Sequence, residues 1–116
     1  MKDQIKKVLT RMQELLEKGW TKGELARKAD QSPTCFSDHE ATCFCMIGAL
    51  ERAMYDLKYV GFSFHHTEQL LKRHLPTRKG VYRFANAALA QFNDAPTTKA
   101  ADVIEVVKKA LTTLTE

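Results

Sequence analysis

Apolar residues recur at helical spacing through Ile5, Val8, Leu9, Met12, Leu15 and Leu16, while Lys6, Lys7, Arg11, Gln13 and Glu17 take the opposite face. The pattern predicts an amphipathic helix over residues 3–18, stopped at Gly19, which can adopt the left-handed conformation of a helix end. Thr21-Lys22-Gly23-Glu24 then reads as a capping box, with Trp20 and Leu25 at the hydrophobic-staple positions, and predicts a short helix over about 22–29. A second box, Ser37-Asp38-His39-Glu40, opens a long helix to about Leu57, with Cys43, Ile47, Leu50, Met54 and Leu57 inward. Gly48 inside it calls for close packing or a helix break.

Tyr59 to Phe64 is β-prone but short, and reads as a connection or at most a stray strand. Thr67 to Leu75 predicts a helix ended by Pro76, and Lys79 to Phe92 another. Asn93-Asp94-Ala95-Pro96-Thr97 is turn chemistry. A last helix over about 99–115 turns Val103, Ile104, Val107, Ala110, Leu111 and Leu114 inward. The expectation is an all-α fold: one domain over residues 1–116, made of five or six helices joined by short loops.

Composition narrows the class without changing that picture. With 116 residues, 44% of them hydrophobic and 28% charged, the chain reads as one soluble globular domain. It lacks an apolar run long enough to span a membrane, and its N-terminal residues do not read as a secretory leader, so a cytoplasmic location is expected. Three cysteines in such a setting imply reduced thiols.

Charge is segregated along the chain. Residues 61–90 hold five basic side chains, Lys72, Arg73, Arg78, Lys79 and Arg83, against Glu68 alone, whereas residues 31–60 hold two basic and four acidic. The basic stretch is a candidate surface for a protein partner or for nucleic acid, with Tyr82 as a stacking face. A solvated helix exterior explains the same residues.

The densest cluster of reactive groups is Cys35, His39, Cys43 and Cys45. A zinc site would join three of these to His65, His66 or His74, but the spacing is irregular, and no metal or other cofactor is expected. Cys45 suits a nucleophile if a helix begins near Thr42, and loses that advantage if the box at Ser37 places it mid-helix. A buried thiol packing as a small hydrophobe is the competing account.

Three landmarks occur in order: Gly19-Trp20-Thr21-x-Gly23-x-x-Ala26-Arg27, Cys43-Phe44-Cys45-Met46-Ile47-Gly48-Ala49-Leu50, and Phe92-Asn93-Asp94 followed by Thr97-Thr98 and Asp102-Val103. From about Gly19 to Ala110 the chain resembles a family of small bacterial and phage proteins of unknown function that carries Gly-Trp, Cys-x-x-Gly-Ala-Leu and Asn-Asp motifs. The resemblance implies a shared fold and a bacterial or phage setting, and it transfers no activity. It includes Cys45 and leaves out Cys35, His39 and Cys43. Read architecturally, Gly48 and Ala49 allow close approach, Trp20 fills a corner, and Asn93 and Asp94 bond helix-end groups. Read functionally, Trp20, Arg27, Cys45, Asn93 and Asp94 line a polar pocket. The sequence therefore favours a non-enzymatic helical binding module, with a small-molecule pocket or a thiol enzyme centred on Cys45 and Asn93-Asp94 as the alternative.

Overall fold

A computed structural model of the protein describes residues 2–59, 61–76 and 84–115. The elements run α1 (Lys2–Lys18), β1 (Ala26–Lys28), β2 (Pro33–Thr34), β3 (Ala41–Phe44), α2 (Met46–Leu57), α3 (Phe62–Arg73), α4 (Ala85–Asp94) and α5 (Ala100–Thr115). The fold is therefore mixed α/β, which corrects the all-α expectation: among the described residues, five helices accompany a three-stranded antiparallel sheet of order β2-β1-β3.

Two misread segments account for the correction. The short helix expected at 22–29 is absent, because Gly23 sits at φ +80° and Thr21 Oγ1 accepts from Arg27 Nε at 2.9 Å instead of capping a helix. The chain there runs out as β1, pairing Ala26 with Phe44 and Arg27 with Cys43. The box at Ser37 does not open a helix either. Asp38 closes a turn, its Oδ1 accepting from Glu40 N at 2.9 Å and its Oδ2 from Thr34 Oγ1 at 2.5 Å. The residues that follow, Ala41-Thr42-Cys43-Phe44, pair as β3, and α2 begins only at Met46. The segment read as a connection up to Phe64 turns helical from Phe62. Of the helix expected over Lys79 to Phe92, Ala85–Asp94 is seen as α4, and residues 79–83 lie outside the described residues.

The predicted apolar stripe of α1 is buried throughout, at Ile5, Val8, Leu9, Met12, Leu15 and Leu16. It packs against α2 and α5, joining Leu50, Ala53, Val103 and Val107 in one core that also receives Leu71 and Leu89. An ion-pair network fastens α1 to α2 from outside: Asp56 accepts from Arg11 at 2.9 Å through Oδ2 and from Arg52 at 2.9 Å through Oδ1. Arg52 reaches onward to the carbonyls of Phe36 and Asp38 and so pins the loop before β3.

Two glycines let the sheet seat against the helices. A Cβ on Gly48 would stand 1.8 Å from the Leu25 carbonyl oxygen, so β1 approaches α2 only because that position has no side chain. A Cβ on Gly19 would stand 2.3 Å from the Thr42 carbonyl oxygen. Freed of that clash, Gly19 to Thr21 runs along β3: Phe44 N donates to Gly19 O and Thr21 N donates to Phe44 O, both at 3.1 Å.

Candidate functional site

Trp20 leaves α1, Met46 opens α2 and Asn93 closes α4, and these three points converge on one buried amide. Asn93 Oδ1 accepts from Trp20 Nε1 at 2.7 Å and from Met46 N at 3.0 Å. Its Nδ2 donates to the Thr21 carbonyl at 3.1 Å and to Asp94 Oδ1 at 3.0 Å. A primary amide has two acceptor lone pairs and two N–H donors, and here all four are engaged. Asp94 Oδ1 also accepts from Gly23 N at 3.0 Å, tying the turn after Trp20 to the end of α4. Lys22 adds a further tie, donating to the Ala95 carbonyl at 2.6 Å with its ammonium 5.5 Å from the centre of the Trp20 ring.

Cys45 is the N-cap of α2. Its Sγ accepts from Gly48 N at 3.2 Å and its carbonyl from Ala49 N at 2.8 Å, so thiol, carbonyl and the Asn93 amide together meet the free N–H groups of the first turn. Burial pushes the Cys45 thiol up from its ordinary pKa, and the amides of Gly48 and Ile47, which draw it down, do not offset that. Arg27 is half-buried on β1, with its guanidinium divided among Thr21 Oγ1, the Gln31 carbonyl at 3.0 Å and the Lys22 carbonyl at 3.2 Å. Trp20, Asn93 and Asp94 thus meet directly, Cys45 joins them through the start of α2, and Arg27 through Thr21.

That arrangement ties residues 20–23 and 46 to 93–95, and the family match runs over residues 1–113. The chain belongs to DUF6197, a family of unknown function. No curated protein and no solved structure matches it.

The remaining candidate ligands of this DUF6197 chain lie apart. His39 is almost fully exposed beside Asp38, Cys43 is buried in β3, and Cys35 is exposed with Sγ 3.2 Å from Ser37 Oγ. Hydrogen bonds from Ser37 hold the Cys35 thiol below its ordinary pKa. Because residues 41–44 form a strand, His39 and Cys43 do not share the helix face that a zinc site needed, and among the described residues no three metal-ligating side chains converge. Of the basic stretch, Lys72 and Arg73 lie in the last turn of α3, half-buried and exposed respectively. Arg78, Lys79, Tyr82 and Arg83 lie outside the described residues. No helix of the described residues is long and apolar enough to cross a membrane.

Sequence reasoning missed the Arg11–Asp56–Arg52 network. Its one visible signal is the i, i+4 spacing of Arg52 and Asp56 on α2.

Proposed function

We propose that this protein is a non-enzymatic binding module of a bacterial or phage cytoplasm. In this reading it contacts an acidic protein surface or a nucleic-acid backbone through the stretch carrying Lys72, Arg73, Arg78, Lys79 and Arg83. The observation that carries the reading is the saturation of Asn93. Every donor and acceptor of the amide is spent on Trp20, Thr21, Met46 and Asp94, which leaves a ligand no free group on that amide. A thiol enzyme centred on Cys45 is disfavoured by the same geometry, since its sulfur is buried, employed as a helix cap and held toward the protonated form. The charge segregation of the sequence supports a partner of negative charge, with five cations against one carboxylate over residues 61–90.

The test is a pull-down from a native host, analysed for protein and nucleic acid, followed by binding measurements on the recovered partner with Arg73→Glu/Arg78→Glu. Weakened binding with an unchanged melting temperature supports the reading, because it separates a lost contact from a lost fold. A steep loss of affinity with added salt identifies nucleic acid, and a mild one a protein. Equal binding by the variant and the parent at low and physiological salt overturns it.

A further inference from the structure

Between the second half of α2 and the start of α3 lies a cleft of about 320 Å³, open along one side and walled by Phe36, Glu51, Met54, Tyr55, Tyr59 and Phe64. Glu51, Met54 and Tyr55 stand at i, i+3 and i+4 on α2 and so share one face of the helix. Left-handed Lys58 ends α2, and the chain turns through Gly61 at φ +78° to bring Phe64 across. Four aromatic rings and Met54 line it, with one charged exception. Glu51 is half-buried there, and no hydrogen bond or ion pair reaches it among the described residues. Burial raises its carboxyl above the ordinary glutamate range, and the neighbouring Glu68, itself buried and held by Asn86 Nδ2 at 3.1 Å, pushes in the same direction. Phe36 and Tyr55 meet edge to face with centroids 6.4 Å apart, yet Tyr55 remains 58% exposed.

An unpaired carboxylate among aromatic rings is complementary to a cation that carries apolar or planar surface. Among biological cations, guanidinium uses both features: its flat, weakly hydrated face stacks on aromatic rings while its fork bonds a carboxylate bidentately. An ammonium is more strongly hydrated and loses more on entering an apolar lining. The open side argues against a free small molecule, which is ordinarily enclosed over most of its surface, and for a group tethered to a chain that stays outside. We propose that this cleft receives an arginine side chain of a partner polypeptide, stacked on the exposed Tyr55 ring, with Phe36 standing edge-on to that ring, and paired with Glu51. The site is separate from the basic stretch: Phe64 and Arg73 lie toward opposite ends of α3, about 14 Å apart along the helix axis. The inference therefore stands or falls independently of the proposed function.

The test titrates the whole chain, watched by NMR, with N-acetyl-arginine amide and, in parallel, with the lysine and citrulline analogues and with tetramethylammonium. The expected result is a saturable shift of the Met54 methyl and the Gly61 amide with the arginine probe. The citrulline analogue, which keeps shape but loses charge, should bind about tenfold more weakly or worse. Glu51→Gln and Tyr55→Ala should each weaken the arginine probe by about fivefold or more with the rest of the spectrum unchanged, since Tyr55 is exposed and Glu51 supports no fold contact. Equal shifts with arginine and citrulline, or shifts mapping elsewhere on the molecule, overturn the proposal. Tighter binding of tetramethylammonium overturns it in favour of a free ammonium ligand. Concentration-dependent shifts at the cleft without any probe overturn it in favour of a second copy of the chain.

Discussion

Trp20 Nε1 and Asn93 Oδ1 meet at 2.7 Å across 73 residues of chain, and this single bond joins the exit of α1 to the end of α4. The same oxygen holds the first amide of α2, so three elements depend on one side chain. Asn93→Ala strands the indole N–H and the Met46 amide in a buried place and should destabilise the fold by about 3 kcal/mol. Asn93→Asp keeps the acceptor but loses the bond to Thr21 and sets a second carboxylate beside Asp94, so it should cost at least as much. Urea denaturation of the three proteins checks both expectations.

Gly48 and Gly61 should respond to alanine very differently. At Gly48 the new methyl meets the Leu25 backbone, which cannot move without breaking β1 from β3, and a loss of at least about 3 kcal/mol is expected. At Gly61 the new methyl would meet no atom of the described residues within 4 Å beyond its chain neighbours, and the left-handed φ is what resists, for about 1–2 kcal/mol. Thermal melts and the strand signal in circular dichroism separate the two.

Cysteine reactivity should follow burial and role. Cys35, exposed and held below its ordinary thiol pKa, should react with a soluble disulfide reagent in native protein well before Cys45, which should wait for unfolding. Cys45→Ser keeps an acceptor for the Gly48 amide and should be tolerated, whereas Cys45→Ala loses the cap and should cost about 1 kcal/mol. Rates of labelling and midpoints of denaturation are the measurements.

Glu51 should weaken the fold at neutral pH. Its carboxyl is raised in the folded state, so the folded protein binds that proton more tightly than the unfolded chain does. The penalty is present when both states are ionised and fades as pH falls through the raised value; below the ordinary glutamate range both states are neutral. Glu51→Gln should therefore stabilise the protein at pH 7, on the order of 0.5 kcal/mol once solvent screening is allowed for, with the gap closing in acid. A variant that is more stable yet binds the arginine probe less well would separate loss of the site from loss of the fold.

Where the sequence spoke clearly, it did so through period. Six apolar positions of α1 and the Val103–Val107–Ala110 stripe of α5 face the core as their spacing requires. The sheet was hidden because its strands are two to four residues long and β1 is spelled Ala-Arg-Lys, letters that favour a helix. What makes β1 a strand is β3, whose paired residues lie 13 to 18 positions along the chain, together with the missing side chain at Gly48. Both capping-box patterns carry the right residue types, but Thr21 spends its oxygen on Arg27, while Ser37 meets Cys35 Sγ and Asp38 beside it closes a turn, which spacing alone does not disclose. The grouping of Trp20 with Asn93 and Asp94 was visible from the motifs, whereas the Glu51 cleft was not, because its walls come from a loop and two helices whose packing no local pattern records.

The outer border of the sheet has a consequence for self-association. On one flank the N–H and carbonyl of Phe44 in β3 are already taken by Gly19 and Thr21. On the other, β2 is two residues long and begins with Pro33, which has no N–H to give. A second chain seeking to extend the sheet would find a border too short to set a register and missing a donor at its first position. The small sheet thereby offers a second strand little to pair with, which disfavours fibril growth from that edge.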